Sequence, residues 1–258
     1  MLFMGNVLCI IQARMGSTRL PGKVLKKADG IPLLEYQLRR IKLAKSIGKI
    51  VVATTTKKND DKIESLCKKL NTDCFRGSED DVLNRYYQCA LKYPTYPLIM
   101  RLTADCPLVD YKLINKLIAF FDIKKHDYVN GAENFGLETF PEGVAEIELF
   151  TRDALARTAL AASFFSEREH VTLHMRKNSS FRKGFISLKN NRFARYRLTV
   201  DEPEDFDVVK FVIENSTIRD GYRKHIGLLK KHPEIAKKNM HIMRNEGLQK
   251  SLKNEHFT

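Results

Sequence analysis

The stretch VLCIIQARMGSTRLPGK, residues 7–23, does most to decide the fold. Its first five residues form an uninterrupted apolar run that is typical of a strand buried in a parallel sheet. A loop follows without a gap, and it contains three cations and two glycines: Arg14, Gly16, Arg19, Gly22 and Lys23. Glycines let backbone N–H groups approach a ligand closely, and the cations supply positive charge. The stretch therefore predicts a strand that ends in a polyphosphate-binding loop.

The loop differs from the Walker A motif, which has four residues between its glycines and Ser or Thr after its lysine. Here five residues separate Gly16 from Gly22, and Val24 follows Lys23. The hydroxyl that holds magnesium in a P-loop is missing, so a metal ion must be held elsewhere. A solvated basic turn is the alternative, but the crowding of cations, glycines and Pro21 in one turn favours a bound anion.

Strand-like and helical patterns alternate through the first half of the chain. Strands are predicted at residues 7–11, 50–53 and 98–102. Helices are predicted at residues 33–44, from about residue 60 onward, in a segment that ends at about residue 91, and from residue 110 onward. The predicted caps are Asn59, a capping box of Ser78 and Asp81, and Asp110. This alternation implies an α/β fold with a mostly parallel sheet and helices on both faces. Such sheets bind ligands at the carboxyl ends of their strands.

The second half of the chain is less regular. Strands are predicted at residues 127–130, 144–150, 185–188 and 196–200, and the aperiodic segment 131–143 is interpreted as a functional loop over the site. Pro203 begins a helix, and two short basic helices broken at Pro233 follow residue 220. The predicted organisation is a main domain at residues 1–218, which includes a mixed β subregion near 127–190, and a basic helical extension at residues 219–258.

Composition narrows the function classes. The formal net charge of +14 fits a polyanionic substrate, while RNA or an anionic surface gripped by the basic tail remains the alternative. We expect neither nucleic acid nor a membrane as a partner. The five cysteines form no CxxC pair, so we expect reduced thiols and no zinc ribbon. The apolar runs are too short to span a bilayer, and we expect the protein in the cytoplasm.

Two carboxylates follow apolar runs in the sequence. Asp105 lies three residues beyond the end of the predicted strand 98–102. Asp201 directly follows Leu198-Thr199-Val200. Carboxylates at the ends of neighbouring strands can converge on one Mg²⁺, which prefers one or two carboxylates with phosphate oxygens and waters. The alternative is that each aspartate caps the next helix, and this is stronger for Asp201 because Pro203 follows it.

A further polar group lies around residues 166–174. Ser166 is predicted to cap a helix on which His170 and His174 share one face, but HExxH is absent and no third ligand is evident, so zinc is not expected. Arg168 and His170 could bind the carboxylate or phosphate of a substrate. A partly buried polar helix start is the structural alternative.

The loop and six further blocks resemble the nucleotide-sugar cytidylyltransferases, which include CMP-Kdo synthetase, the acylneuraminate cytidylyltransferases and the spore coat polysaccharide biosynthesis protein F group. The last group is the closest match. The blocks lie in the same order over nearly the whole chain: ATTT (53–56), FRGSEDDVL (75–83), RLTADCPL (101–108), REHVT (168–172), RLTVDEPED (197–205) and RNEGL (244–248).

The resemblance implies a Rossmann-like fold of the nucleotide-diphospho-sugar transferase type. It implies transfer of CMP from CTP to a sugar, an acidic sugar or a small phosphorylated acceptor, release of pyrophosphate, a Mg²⁺ cofactor and a homodimer. The resemblance also implies that residues 127–190 help to form the acceptor pocket and the dimer contact. UTP or GTP in place of CTP stays open, as does a non-catalytic binding role, although intact Lys23, Asp105 and Asp201 argue against a degenerate relative. The acceptor also stays open between Kdo, a nonulosonate, a sugar phosphate and a phosphorylated amino-acid derivative.

The resemblance also assigns site residues. Catalytic roles fall to Lys23, Arg14, Arg19 and Asp105, and metal binding to Asp105 and Asp201. Acceptor binding falls to Arg168, Glu169 and His170. The residues assigned to the nucleotide are Ala13, Arg14, Gly16, Ser17, Arg19, Lys23, Thr54, Thr55, Gly77, Asp81, Arg85 and Arg101.

Overall fold

The computed structural model describes residues 5–131, 138–253 and 255. Its strands are β1 (Val7–Gln12), β2 (Lys27–Ala28), β3 (Ile31–Pro32), β4 (Lys49–Thr55), β5 (Asp73–Gly77), β6 (Leu98–Thr103), β7 (Tyr128–Asn130), β8 (Glu148–Thr151) and β9 (Lys183–Phe185). Its helices are α1 (Leu33–Ile41), α2 (Asp61–Lys69), α3 (Val82–Leu91), α4 (Tyr111–Phe120), α5 (Arg152–Ala161), α6 (Phe165–Glu169), α7 (Leu173–Lys177), α8 (Pro203–Glu214), α9 (Tyr222–Lys231), α10 (Pro233–Ala236) and α11 (Glu246–Lys253).

A seven-stranded sheet organises the molecule, in the order β5-β4-β1-β6-β8-β7-β9. Strands β5, β4, β1 and β6 are mutually parallel, β8 runs antiparallel to both β6 and β7, and β9 is parallel to β7. Strands β2 and β3 form a separate antiparallel pair beside the loop that follows β1. The mostly parallel α/β sheet predicted from the sequence is confirmed.

Strand β1 is buried on both faces of the sheet, as its unbroken apolar run predicts. Val7, Cys9 and Ile11 pack in one hydrophobic core, and Leu8 and Ile10 pack in the other. Side chains of α1, α4, α8 and α9 fill the first core, while side chains of α3 and α5 fill the second. This two-sided burial fixes the register of β1 and therefore the position of the loop at its carboxyl end.

Several predicted elements differ from the structure in detail. The strand predicted at 144–150 begins only at Glu148, and β9 ends at Phe185. The strand predicted at 196–200 does not join the sheet: Arg197 makes an isolated bridge with Glu142, and the Val200 N–H donates to the Asp105 carbonyl at 2.8 Å. Apolar and polar residues alternate in this segment as they do in a strand, but its backbone hydrogen bonds are made with loop residues. Residues 132–137 of the predicted functional loop lie outside the described residues.

Some of the predicted helix caps differ from those in the structure. Pro203 opens α8 and Asp110 caps α4, as predicted. Asp81 rather than Ser78 is the N-cap of α3, because its carboxylate accepts from the Asn84 N–H at 2.9 Å. Asn59 lies in a short 3-10 turn ahead of α2 and does not cap that helix.

Arg40 of α1 holds two later segments of the chain, near residues 109 and 218–220, against that helix. It is fully buried and donates to the carbonyls of Val109, Ile218 and Asp220 at 3.1, 2.9 and 2.9 Å. The Leu108 carbonyl accepts a further hydrogen bond at 3.4 Å, so four carbonyl groups, and no carboxylate of the described residues, accept hydrogen bonds from the guanidinium. The side chains of α9 pack in the core that contains α1, and the boundary predicted at residues 218–219 stays a prediction. No helix in the described ranges is long and apolar enough to cross a membrane.

His225 of α9 is buried, and neither ring nitrogen has a hydrogen-bond partner among the described residues. Burial, with the nearby Arg40, lowers the pKa of His225 from its ordinary 6.5 to about 3. Between these values the unfolded chain binds a proton that the folded chain does not. The free energy of unfolding should therefore fall by about 2 kcal/mol between pH 7 and pH 5 through this residue alone.

His225→Phe should abolish that part of the acid sensitivity, because phenylalanine does not titrate. Urea unfolding at pH 7 and pH 5 measures it. The matched control is His241→Phe, which replaces an exposed histidine and should retain the full loss. Equal pH dependence of the two variants would contradict a neutral buried imidazole.

Candidate active site

The loop after β1 is held in shape by its own backbone and by Asp60. The N–H groups of Ser17 and Gly22 both donate to the Met15 carbonyl, at 2.9 and 3.0 Å, and the Met15 N–H donates to Asp60 Oδ1 at 2.7 Å. Gly22 has φ of +67°, a left-handed conformation that glycine adopts without strain. This turn leads into a short 3-10 helix, Lys23–Leu25, and directs the Lys23 side chain back toward the sheet.

The Lys23 ammonium joins the two aspartates predicted to bind metal. Its Nζ lies 2.7 Å from Asp201 Oδ1 and 3.6 Å from Asp105 Oδ2, and it donates to the Val200 carbonyl at 2.7 Å. The Val200–Asp105 backbone hydrogen bond brings the two aspartate segments side by side. The predicted convergence of Asp105 and Asp201 beside the loop is therefore observed, and their role as metal ligands stays a prediction.

The charges of this triad depend on one another. Burial alone would lower the pKa of Lys23, but Asp105 and Asp201 raise it above its ordinary value. Burial alone would raise the pKa of Asp201, but Lys23, Arg19 and Arg197 hold it below its usual range. Both groups are therefore charged at neutral pH, and the two carboxylates face a fixed cation.

Arg197 fixes the orientation of Asp201. Its Nη2 donates to Asp201 Oδ2 at 3.0 Å, its Nε donates to Asp205 Oδ1 at 2.8 Å, and its Nη1 donates to Glu142 Oε2 at 2.7 Å. Asp205 is fully buried and also accepts from the Asp201 N–H at 2.9 Å. Because its three nitrogen atoms all donate to carboxylates, the Arg197 guanidinium is held in place. It therefore keeps the Asp201 carboxylate in a fixed orientation.

The other two loop cations also pair with acids. Arg19 contacts Asp201, Glu202 and Glu246 at 3.2, 3.2 and 2.9 Å, and Arg14 lies 3.8 Å from Glu79. Sequence reasoning missed Glu79, Glu202 and Glu246, although all three lie in the family-like blocks. The sequence does not show that these three acids form ion pairs with the loop cations.

Two adjoining pockets meet at the Lys23 triad. The loop cleft, of about 290 Å³, is lined by residues of the 14–23 loop and by Glu79, Arg85 and Glu169. The carboxylate pocket, of about 280 Å³, takes its name from its six acids: Asp105, Glu142, Glu146, Glu148, Asp201 and Glu246. The residues that line both are Gln12, Arg19, Arg101, Thr103, Asp105, His170 and Asp201.

Arg101 marks the border between the pockets. It forms an ion pair with Glu148, and its Nε donates to Gln12 Oε1 at 3.2 Å. Burial opposes its charge, but Glu148 raises the pKa of Arg101 above its ordinary value. The Tyr128 hydroxyl donates to Glu148 at 2.6 Å, so the ion pair is held in a buried network.

The predicted nucleotide residues separate into two sets. Those that line the loop cleft are Ala13, Arg14, Ser17, Arg19, Lys23, Arg85 and Arg101. Gly16, Thr54, Thr55, Gly77 and Asp81 are not among its lining residues. Thr54 and Thr55 are buried, and the Thr55 hydroxyl donates to Asp60. Gly16 lies in the loop itself, where an added Cβ would sit 3.4 Å from Glu79 Oε1.

The predicted acceptor residues also separate. Arg168 makes two hydrogen bonds to Asp81 Oδ2, at 2.9 and 2.6 Å, so it ties α6 to the start of α3 and lines neither pocket. Glu169 and His170 line the loop cleft. Asp81 likewise caps α3 and forms an ion pair with Arg168, and it is not among the residues that line the loop cleft.

The interpretation of His170 and His174 as one helical face is wrong. Helix α6 ends at Glu169, Val171 has φ of +57°, and His174 belongs to α7. Phe164, not Ser166, is the N-cap of α6. His174 contacts Glu167 at 2.9 Å, whereas His170 contacts Ser251 of α11 at 2.9 Å. Across the described ranges, no group of three or more His, Cys, Asp and Glu is arranged to hold a metal by itself.

The chain is similar to several known proteins along nearly its whole length. Residues 8–245 match a family model described as Cytidylyltransferase. An uncharacterised protein of Methanocaldococcus jannaschii is 37% identical over 240 residues, 92% of this chain and 96% of that protein. Spore coat polysaccharide biosynthesis protein SpsF of Bacillus subtilis is 33% identical over 242 residues, 90% of this chain and 98% of that protein.

A solved structure is similar over the same extent. The structure of a cytidylyltransferase from Leptospira borgpetersenii has a TM-score of 0.84 at 33% identity, and the match covers 93% of this chain and 99% of that chain. The family model spans nearly the whole chain, and the relatives align along almost their full length. These matches assign the chain to one family. The chain belongs to the cytidylyltransferase family and is a nucleotidyltransferase.

Proposed function

We propose that this enzyme transfers CMP from CTP to an oxygen of a sugar, an acidic sugar or a small phosphorylated acceptor and releases pyrophosphate. The observation that carries the proposal is the convergence of Lys23, Asp105 and Asp201 where the two pockets meet. Family membership supports CTP as the donor. The name of the Bacillus subtilis relative supports a place in surface polysaccharide biosynthesis.

The two aspartates fit a divalent cation. Asp105 and Asp201 already share one positive charge, the Lys23 ammonium, which stands where a cation is expected. Two carboxylates suit Mg²⁺ when phosphate oxygens and waters complete its shell, so the site would fill together with the nucleotide. When bound there, the metal would neutralise phosphate charge and polarise the α-phosphate.

The reaction is an in-line displacement at phosphorus. An acceptor oxygen forms a bond to the α-phosphorus of CTP while the bond to the bridging oxygen of the β-phosphate breaks, and pyrophosphate leaves. When the acceptor oxygen belongs to a hydroxyl group, its proton passes to solvent. In this arrangement the loop cleft holds the nucleotide and the carboxylate pocket holds the acceptor. The attacking oxygen therefore approaches across the border at Asp105 and Arg101.

The loop cations exchange partners in this scheme. Arg14, Arg19 and Lys23 leave their carboxylates for the β- and γ-phosphates, which offer more negative charge in the same cleft. Backbone N–H groups near Gly16 and Ser17 add hydrogen bonds. Once they hold the phosphates, these cations lower the barrier because they need no further reorganisation while the pyrophosphate leaves.

The remaining assignments concern the assembly and its setting. We propose a homodimer whose contact lies within residues 127–190, the region that carries strand β9 at the edge of the sheet. We also propose that the enzyme works in the cytoplasm and that residues 219–258 form an extension of a main domain at residues 1–218.

Nucleotide preference tests the donor. CTP with Mg²⁺ at a hundredfold excess over its Kd should stabilise the fold by about 2.7 kcal/mol, because the ligand binds only the folded chain. Thermal unfolding with each of the four nucleoside triphosphates measures this. Equal stabilisation by UTP, GTP or ATP would sink the assignment of CTP.

Lys23→Ala tests the loop. Turnover should fall on the order of a hundredfold, because the leaving pyrophosphate loses a fixed cation. The fold should persist, with a loss on the order of 1–3 kcal/mol since two carboxylates lose their partner. The readout is CTP-dependent pyrophosphate release. Lys27→Ala, at an exposed position four residues away, is the matched control and should be unchanged. Near-normal turnover of Lys23→Ala would return the loop to a solvated basic turn.

Asp105→Asn and Asp201→Asn test the shared site. Each substitution should lower turnover strongly, and the double variant should cost little more, because groups that act as one unit are not additive. Activity measured across a Mg²⁺ titration is the readout. Glu204→Gln, which neutralises an exposed acid near Asp201, should retain activity. Independent, multiplying losses would show that the two carboxylates do not act on one cation.

A further inference from the structure

A third cavity, of about 320 Å³, lies between the β7–β9 edge of the sheet and helices α7 and α11. Its walls are mainly apolar and include Tyr128, Leu173, Phe185, Leu248 and Leu252. We call it the leucine cavity. It differs in character from the loop cleft and the carboxylate pocket, whose linings are dominated by charged groups.

The leucine cavity adjoins the carboxylate pocket. Asn130, Arg176 and Leu248 line both spaces, so a molecule in one can extend into the other. Asn130 is only 8% exposed, and its Nδ2 donates to the Tyr128 hydroxyl at 3.1 Å. Its Oδ1 is buried without a hydrogen-bond partner among the described residues. A buried polar atom that lacks a partner is costly, which suits a place that a ligand completes.

The charged residues of the leucine cavity are all cations. Arg176, Lys177 and Lys183 line it, and its described lining includes no acid. The Lys183 ammonium is anchored by the carbonyls of Arg176 and Asn178, each at 2.9 Å. The combination of apolar walls with a cationic edge favours an apolar group attached to an anionic or neutral molecule and disfavours an amine.

Helix α11 roofs the cavity and is tied to the active site. Glu246 at its start contacts Arg19 at 2.9 Å, and Ser251 contacts His170 at 2.9 Å. Leu248 and Leu252, four residues apart, share the face of α11 that lines the cavity. Leu252 remains 37% exposed, as expected for a wall that an incoming group would cover. The same helix therefore contacts the loop and closes the cavity.

We propose that the leucine cavity is a second compartment of the acceptor site and takes a short acyl or alkyl substituent of the acceptor. The placement of the acceptor in the carboxylate pocket rests on the proposed function. The substrate class is an acceptor with its reacting oxygen near Asp105, a hydroxyl or N–H group that donates to Asn130 Oδ1, and an apolar extension beneath α11.

A tryptophan reporter tests the cavity without any turnover. The natural sequence contains no tryptophan, so Phe185→Trp places the single tryptophan of the variant in the cavity wall, where it can be excited selectively. The probes are sodium acetate, butanoate and hexanoate. Their Kd values should fall about fourfold for each added methylene, the ratio that ~0.8 kcal/mol per buried methylene gives. Leu160→Trp, at a position 86% exposed on α5, is the control and should give no saturable response.

Leu252→Asp in the Phe185→Trp background should weaken hexanoate binding at least tenfold, because it places a carboxylate in the apolar wall. Chemical-shift titration of the natural chain with hexanoate is the second measurement if Phe185→Trp fails to fold. Kd values that do not depend on chain length would overturn the proposal. It would also be overturned if Leu252→Asp changed the oligomeric state in sedimentation and left hexanoate affinity intact, because the cavity would then be a contact between copies.

Kinetics separate this inference from the proposed function. With an acceptor that supports CTP-dependent pyrophosphate release, saturating hexanoate should raise the KM of the acceptor at least fivefold and leave the KM of CTP unchanged. A rise in the KM of CTP alone would overturn the inference while the cytidylyl transfer stood. Loss of CTP dependence with intact hexanoate binding would instead contradict the proposed function.

Discussion

The ammonium of Lys23 lies between the carboxylates of Asp105 and Asp201, and the candidate site depends on this interaction. Lys23 comes from the loop after β1, Asp105 follows β6, and Asp201 follows an extended segment outside the sheet. The Val200–Asp105 backbone hydrogen bond holds the last two segments together. Lys23 contributes to holding the pKa of Asp201 below its usual range, so this carboxylate stays charged beside the ammonium. The fold therefore builds a place for positive charge at the centre of the site.

Paired charges extend outward from that centre. Arg197 supports Asp201, Arg19 reaches Glu246 of α11, and Arg101 pairs with Glu148 on the opposite side. Most cations of the cleft therefore have acid partners in this state. A triphosphate replaces several carboxylates at once, so binding exchanges ion pairs and does not bury unpaired charge. The contact of Arg19 with α11 also links the nucleotide side of the site to the roof of the leucine cavity.

The sequence was sufficient for the central sheet, because apolar runs mark its strands. It also predicted that Asp105 and Asp201 converge, but Asp201 follows an extended segment outside the sheet and not the strand end on which that prediction relied. The sequence was insufficient where a residue's partner lies far along the chain. Asp81 and Arg168 have the types and positions of ligand residues, yet they bind each other. The 196–200 run has strand character but pairs with loops, since the sheet position beside β6 is taken by β8. The leucine cavity has no sequence signature, because its walls come from four separate elements.

The most direct test of the central claim is a crystal structure with CTP and Mn²⁺, read by anomalous scattering. Mn²⁺ prefers the same oxygen ligands as Mg²⁺ and can be located without ambiguity. The account predicts one anomalous peak bonded to the carboxylates of Asp105 and Asp201, with the Lys23 ammonium moved from Asp201 to the triphosphate. A metal bound elsewhere, with Lys23 still paired to Asp201 beneath the bound nucleotide, would contradict it.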